Sequence, residues 1–281
     1  MKADRPSRTA WAAAAHRAAH QVLEQGLILN DPLALRILGS EAASAVTEET
    51  DDPSRRRMRI FIAARSRFAE DALRTAVERG VRQLVVLGAG LDTLAYRTGL
   101  SGRIRMFEVD HPATQDWKQE LLRNADIAIP ASLTYCPIDF EQEPLLAGLT
   151  AAGFDATVPT FFIWLGVVPY LTEEAVYSTL SFIAGIPQAQ VVFDYSNPPD
   201  QLSPEARASY ERRAAQVERQ NEAWITHFDS ATLRTELLSL GFSDIEDLSP
   251  KAIAARYFPG RPSTAGDQGG HICRAAQHTA S

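Results

Sequence analysis

Apolar residues in the middle of the chain fall into short runs separated by segments with helical periodicity. Five runs of strand length stand at residues 84–89, 104–110, 133–139, 160–166 and 190–195. Helical patterns lie between them, at residues 112–123, 143–151 and 172–185. Strands that alternate with helices indicate a parallel sheet covered on both faces. The pattern therefore predicts an α/β protein with a doubly wound sheet.

The two ends of the chain follow a different pattern. Residues 9–25 and 55–79 have helical periodicity, Asp31 and Pro32 suit a helix start between them, and the acidic residues 41–53 favour a loop. Residues 204–223 and 230–240 are helical, and strands at 242–248 and 271–276 with no long helix between them predict a terminal antiparallel hairpin. We expect one domain over residues 1–281 with a seven-stranded, mostly parallel sheet. It comprises a helical cap (1–80), a core (81–196 and 230–281) and a helical lid over the strand ends (197–229).

The first predicted strand ends in Gly88, Ala89 and Gly90, and Asp110 ends the second strand, 20 residues beyond Gly90. Glycine permits a sharp turn and lets a ligand approach the backbone closely. An acid at this spacing accepts hydrogen bonds from a ribose in nucleotide-binding sheets. Thr93 stands where a third glycine would complete the dinucleotide fingerprint. The stretch therefore predicts an adenosine-type ligand without a pyrophosphate, and the alternative is a purely structural turn.

Composition narrows the classes of partner. The net charge is −7, and no basic patch is interleaved with aromatic residues, so we expect no nucleic-acid partner. The two cysteines and six histidines lack the spacing of a metal site, so none is expected. The longest apolar stretch, residues 158–171, is shorter than the ~18 residues of a membrane span. Together with an amino terminus that has no apolar signal core, this predicts a cytoplasmic protein that does not bind membranes.

Several motifs resemble those of one family. They are NDPLA (30–34), AARSRFAEDAL (63–73), LVVLGAGLDTLAYR (84–97), FEVDHPATQDWK (107–118) and LGVVPYLTEEAV (165–176). The chain resembles class I S-adenosylmethionine-dependent methyltransferases, and more closely the leucine carboxyl methyltransferase-like family in its tetracenomycin-type polyketide O-methyltransferase branch. The resemblance implies a Rossmann-like core, S-adenosyl-L-methionine as cofactor and a role in secondary metabolism.

The resemblance also assigns the nucleoside end of the cofactor to residues of this chain. Asp110 would hold the ribose diol, with Glu108 or backbone groups behind it and His111 beside it. Asp139 would accept from the adenine amino group while Phe140 packs against the ring.

The methionine end is assigned less completely. Gly88, Ala89 and Gly90 would let the tail approach the backbone, as their residue types permit. Arg65 falls where the family places an arginine on the tail carboxylate, Arg67 is the competitor, and Arg8 resembles a second basic residue. Leu165 replaces an acid that the family often carries. Either Trp164 and the backbone take over that contact, or the cofactor's amino group is held elsewhere.

The sequence indicates the acceptor less clearly than it indicates the cofactor. A carboxylate, whose pKa in water is about 4, is already ionised at neutral pH and needs no general base, whereas a phenol or alcohol does. Tyr170, Tyr195 and His227 are the candidates to hold an acceptor oxygen or to act as base, because they lie by the predicted strand ends and lid. The lid also carries arginines that either face solvent or reach an anionic acceptor: Arg207, Arg212, Arg213 and Arg219.

We therefore expect an S-adenosylmethionine-dependent O-methyltransferase that acts on a small molecule, with a carboxylate acceptor giving a methyl ester. A monomer or homodimer is expected. The alternatives are a protein C-terminal carboxyl methyltransferase, a cofactor-binding protein without transfer activity, which Leu165 favours, and an NAD-dependent oxidoreductase, which Thr93 disfavours.

Overall fold

The computed structural model describes residues 7–51, 55–138, 144–218, 223–260 and 263–277. The chain divides into two compact units, residues 2–155 and residues 156–281. Each unit is built from strands with helices between them. The division into cap, core and lid expected from the sequence stays a prediction.

The first unit begins with helices and continues into a parallel sheet. Its elements are α1 (Arg8–Leu23), α2 (Leu33–Leu38), α3 (Ala42–Asp51), α4 (Arg56–Glu78), β1 (Gln83–Leu87), α5 (Leu94–Arg97), β2 (Arg105–Asp110), α6 (Pro112–Asn124), β3 (Leu133–Pro137) and α7 (Leu145–Ala151). The strands lie in the order β3-β2-β1, and both neighbouring pairs are parallel. All five residues of β1 are buried, as expected for a parallel strand covered on both faces.

The helix α3 corrects one expectation, because residues 41–53 were expected to form a loop. The stretch is rich in acidic residues and its local pattern favours no apolar face. Its buried residues are Ala45 and Glu49, and Arg59 of α4 donates a hydrogen bond to the Glu49 carboxylate at 2.9 Å. The helix is therefore stabilised by a tertiary ion pair that local periodicity does not reveal.

The second unit carries the remaining four strands. Its elements are β4 (Thr160–Trp164), α8 (Glu173–Ala184), β5 (Gln190–Ser196), α9 (Pro204–Glu218), α10 (Ser230–Ser239), β6 (Asp244–Leu248), α11 (Pro250–Tyr257) and β7 (Gly270–Ala276). The strands lie in the order β4-β5-β7-β6; β4 and β5 are parallel, and β7 is antiparallel to both of its neighbours.

The predicted fold class is confirmed: an α/β fold with seven strands, mostly parallel, and an antiparallel pair formed by the last two. The eight-residue helix α11 lies between β6 and β7. The expected hairpin is therefore an antiparallel pair joined by a short helix and a loop. Within the described residues, no helix combines the length and the apolar character needed to cross a membrane.

Candidate functional site

The backbone of the turn after β1 is closely packed. Gly88 and Gly90 have φ of 66° and 46°, values that side-chain-bearing residues rarely adopt. The amides of Gly88 and Ala89 both donate to the carbonyl of Val109, at 2.8 and 3.0 Å. A Cβ on Gly90 would lie 3.0 Å from the Cβ of Ala10 in the first turn of α1. The turn therefore requires glycine on two grounds, conformation and contact with α1.

Asp110 ends β2 beside this turn, and its carboxylate is held by backbone. Oδ2 accepts from the Gly90 amide at 2.6 Å, and Oδ1 accepts from the His111 amide at 2.7 Å. Burial raises the pKa of Asp110, against the opposing effect of these two amides. Each carboxylate oxygen has a second lone pair. The group is thus oriented and still able to accept hydrogen bonds from a ligand's hydroxyls.

The residues flanking Asp110 have structural partners of their own. His111 is the N-cap of α6, where its Nδ1 accepts from the Ala113 amide at 3.2 Å. Glu108, expected as a support for Asp110, instead accepts from the buried Lys118 ammonium at 2.7 Å. Backbone amides therefore support Asp110, which is the other of the two expected arrangements.

A set of charged and polar residues, most of them buried, stabilises the segment that follows the glycine turn, and we call this set the brace. It consists of Arg17, Asp31, Glu70, Thr93 and Arg97. Thr93 donates to Asp31 Oδ2 at 2.7 Å, and Arg17 donates to the carbonyl of Leu91 at 2.7 Å. Arg97 lies 3.3 Å from Asp31 Oδ1 and 2.5 Å from Glu70 Oε1. The brace thus ties helices α1 and α4 to the segment after the turn.

Sequence reasoning found only part of the role of Asp31. The helix α2 begins one residue later than expected, with Pro32 as its N-cap, and Asp31 Oδ1 accepts from the Leu33 amide at 3.2 Å. The carboxylate is also fully buried and pairs with Arg17 and Arg97. Its partner Thr93 is 62 residues away. The available signal was that four of the brace residues fall inside or directly beside the family motifs, at Asp31, Glu70, Thr93 and Arg97.

The arginines expected to bind the cofactor tail lie on α1 and α4. Arg67 donates to Asp71 Oδ2 at 2.7 Å, an exposed pairing one helical turn apart. Arg65 is half-buried, with its guanidinium 6.0 Å from the Phe61 ring centroid. Arg8 is exposed at the start of α1, two residues before Ala10. Asp139 and Phe140, the candidates for the adenine, lie outside the described residues.

In the second unit, the turn after β4 is held by an acid from the neighbouring strand. Trp164, the last residue of β4, is buried against Phe193, and Leu165 is half-buried. Gly166 follows with φ of 73°, and its amide donates to Asp194 Oδ1 at 2.6 Å. Asp194, on β5, was not among the predicted site residues. Its position inside an apolar strand, VVFDYS, was the available signal.

The segment 223–229 passes by the carboxyl ends of β4 and β5. The amide of Ile225 donates to the Pro169 carbonyl at 2.8 Å, and the amide of Phe228 donates to the Ser196 carbonyl at 3.0 Å. Thr226 Oγ1 donates to the Leu171 carbonyl. Tyr170 lies between Pro169 and Leu171 at the end of a 3-10 turn. Tyr170 and the segment that carries His227 are therefore neighbours at the edge of the sheet where ligands bind in such folds.

Tyr195 is already engaged in the core. Its hydroxyl donates to Asp247 Oδ2 at 2.6 Å and lies 2.9 Å from Ser230 Oγ, and its ring stacks on His271. Burial and the charge of Asp247 raise the pKa of Tyr195. The hydroxyl proton is thus committed to a protein carboxylate. An acceptor-holding role for Tyr195 stays a prediction, and this geometry does not favour it.

His227 is paired with a residue of α9 that sequence reasoning missed. The hydroxyl of Tyr210 lies 2.5 Å from His227 Nε2, and the Tyr210 ring packs on Trp224 with centroids 5.4 Å apart. Burial lowers the pKa of His227 and raises that of Tyr210.

Of the lid arginines, Arg207 donates to the Pro199 carbonyl at 2.7 Å. Arg212 is exposed, and the side chains of Arg213 and Arg219 lie outside the described part of the chain.

The seven strands, the glycine turn and the acid after β2 define the architecture of class I methyltransferases. A family model for leucine carboxyl methyltransferase matches residues 10–184. The chain therefore belongs to the leucine carboxyl methyltransferase family.

Individual relatives agree with this assignment. A Bacillus subtilis protein named as an S-adenosyl-L-methionine-dependent methyltransferase is 34% identical over 201 residues, which cover 70% of this chain and 66% of that protein. A Streptomyces coelicolor protein with the same description is 34% identical over 181 residues, covering 62% of this chain and 64% of that protein. The matches thus span just under two thirds of the length of these relatives. Their names agree with the cofactor that the sequence predicts.

Solved structures support the fold alone. A protein described as a methyltransferase from Thermobifida fusca superposes with a TM-score of 0.61 at 13% identity, covering 94% of each chain. A DUF574 family protein from Streptomyces avermitilis superposes with a TM-score of 0.55 at 14% identity, covering 94% of this chain and 97% of that one.

Proposed function

We propose that this protein is an S-adenosyl-L-methionine-dependent O-methyltransferase whose acceptor is a carboxylate on a small molecule, so that its product is a methyl ester. The observation that carries the proposal is the Asp110 carboxylate, fixed by the amides of Gly90 and His111 beside a turn that requires glycine. This arrangement of Asp110 and the turn occurs in a chain that belongs to a methyltransferase family.

The first unit fits the cofactor on chemical grounds. The Asp110 carboxyl group, with unused lone pairs, suits a ribose diol, and backbone without Cβ atoms at Gly88 and Gly90 suits close approach of the tail. For the tail carboxylate, Arg65 is the first candidate on the family resemblance, and Arg67, which donates to Asp71, is the competitor. Arg8 is a second candidate, since α1 packs on the turn through Ala10.

When bound, S-adenosyl-L-methionine supplies a methyl group on a positively charged sulfur. The chain's own task is then to align an acceptor oxygen, and alignment alone is worth up to ~7–11 kcal/mol in well-oriented intramolecular reactions. Tyr170 and His227 lie by the same strand ends and offer hydrogen-bonding groups for that oxygen. A carboxylate needs no proton removed, which matches a site where the buried Tyr195 proton is committed to Asp247.

Cofactor class is tested by titration calorimetry of the protein with S-adenosyl-L-methionine and with NAD. We expect micromolar binding of the first and none of the second. Binding of NAD alone would contradict the proposal.

Acceptor class is tested with methyl-labelled cofactor and an extract of the host. Base-labile label in the small-molecule fraction is the expected result. Base-stable label would indicate a hydroxyl acceptor instead of a carboxylate. Base-labile label in the protein fraction would indicate a protein C-terminus, which the family's name favours. Cofactor binding without transfer would indicate a non-catalytic protein.

A further inference from the structure

The Tyr210–His227 pair has a defined direction of hydrogen bonding. Tyr210 is 9% exposed, and its hydroxyl lies 2.5 Å from His227 Nε2. Within the described residues, the hydroxyl has no other hydrogen-bond partner. A buried hydroxyl proton needs an acceptor, because leaving it unpaired costs about 1–3 kcal/mol. The tyrosine therefore donates, and Nε2 of His227 accepts.

The protonation of His227 follows from that direction. A neutral imidazole carries its single N–H on one nitrogen, and the partner of the other nitrogen decides which. Burial lowers the pKa of His227 and raises that of Tyr210, so both groups are neutral near pH 7. With Nε2 accepting, the hydrogen of His227 is on Nδ1. Over the described residues, Nδ1 makes no hydrogen bond, so it is available to a ligand.

We infer that Tyr210 is a positioning residue that holds His227 in the tautomer with N–H at Nδ1, and that this N–H binds an oxygen of a carboxylate acceptor. The inference rests on the proposed function for its ligand class. In this tautomer His227 is a hydrogen-bond donor and not a base. That role suits an acceptor that arrives ionised, and it does not suit a phenol or alcohol.

The residues around His227 indicate the character of the rest of the acceptor molecule. Trp224 packs on the Tyr210 ring, and Ile225 is 55% exposed. Both belong to the segment whose backbone is bonded to the carbonyls of Pro169 and Ser196 at the strand ends. The segment that carries His227 thus also carries an exposed apolar side chain and the Trp224 ring packed on Tyr210. A carboxylic acid with an apolar body fits this combination.

The tautomer is tested by nitrogen NMR on protein labelled at histidine, without any ligand. We expect His227 to be protonated at Nδ1 in the native protein and to lose that preference in Tyr210→Phe. Phenylalanine keeps the ring packing on Trp224, and an unchanged circular dichroism spectrum checks the fold. The signal is assigned by its loss in His227→Asn. A native His227 protonated at Nε2 would overturn the inference, whether or not the protein transfers methyl groups.

The ligand is tested on the same signal with sodium benzoate, and with benzamide as the uncharged control. Benzoate is expected to shift the Nδ1 resonance and benzamide to leave it in place. In Tyr210→Phe the dissociation constant for benzoate should rise about tenfold, the effect of one hydrogen bond to a charged group. His227→Asn, whose amide N–H lies near the position of Nδ1, should retain more affinity than His227→Ala. Equal shifts with both compounds, or none with benzoate, would refute the carboxylate role even if the tautomer is as inferred.

Discussion

The turns after β1 and β4 contain the same hydrogen-bonding arrangement, but the segments that follow them are held by different contacts. In each, a glycine with positive φ follows the strand, and its amide donates at 2.6 Å to an aspartate on a neighbouring strand: Gly90 to Asp110, and Gly166 to Asp194. The segment after the first turn is held by the buried charges of the brace. The segment after the second turn is held by uncharged hydrogen bonds from residues 225 and 226.

This difference matches the two ligands of the proposed reaction. Breaking a buried ion pair costs several kcal/mol, whereas one neutral hydrogen bond contributes about 1 kcal/mol. The turn assigned to an invariant cofactor is therefore fixed strongly. The segment after the turn at β4, which carries the acceptor candidate Tyr170, is bonded to a connecting segment that can change in sequence at a small energetic cost.

The largest expected effect is that of breaking the brace. Asp31→Ala leaves Arg17 and Arg97 without their shared carboxylate and should lower the free energy of unfolding by about 3–5 kcal/mol. Urea unfolding measures it. The matched control is Asp71→Ala, which removes an exposed partner of Arg67 and should cost about 0–1 kcal/mol. Thr226→Val, on the other turn, should cost about 1 kcal/mol. Similar losses for Asp31→Ala and Thr226→Val would remove the contrast between the turns.

The next effect concerns cofactor affinity. Asp110→Ala removes the proposed ribose acceptor and the partner of the Gly90 amide, so the dissociation constant for S-adenosyl-L-methionine should rise about 100-fold, or ~2.7 kcal/mol. Asp194→Ala makes the equivalent change at the other turn. Calorimetry should show a rise of about tenfold or less. Equal losses in the two variants would mean that both turns contribute alike to the cofactor site.

The smallest effect is a pH dependence in the helices behind the first turn. His20 is fully buried, and its Nε2 accepts from the amides of Ile28 and Leu29, so a proton at Nε2 would displace both. Burial lowers the pKa of His20 below its ordinary 6.5, against the opposing effect of Glu24. The unfolded chain therefore binds the proton more readily. Stability is fully present above pH 6.5 and is lost as the pH falls below it, by at most about 1.4 kcal/mol per pH unit.

Urea unfolding at a series of pH values measures this dependence. His20→Gln retains an acceptor for the two amides and removes the titration, so its stability should fall less on acidification than that of the native chain. Burial also lowers the pKa of His227, in the second unit. His227→Asn removes that titration and is the corresponding variant for the second unit. An identical pH dependence in the native chain and in His20→Gln would mean that a group other than His20 causes it.

Sequence alone predicted those features that local patterns encode. The starts of the five parallel strands fell within one residue of the observed ones, because parallel strands are continuous apolar runs. Gly90 and Asp110 were found because a fixed spacing links them. The helix at 42–51 was missed because its partner Arg59 lies on another helix, and apolar periodicity does not report ion pairs. Tyr210 was missed for the same kind of reason, since its role depends on an orientation toward His227 across 17 residues.

The contact of Arg17 with the Leu91 carbonyl has a consequence during synthesis. The two residues are 74 positions apart, so at about 5–20 residues per second Arg17 leaves the ribosome ~4–15 s before its partner. Over that interval Arg17 lacks the Leu91 carbonyl, and Asp31 lacks Thr93 and Arg97. The helices before the sheet can therefore complete the pairing of their buried charges only once residue 97 has been made.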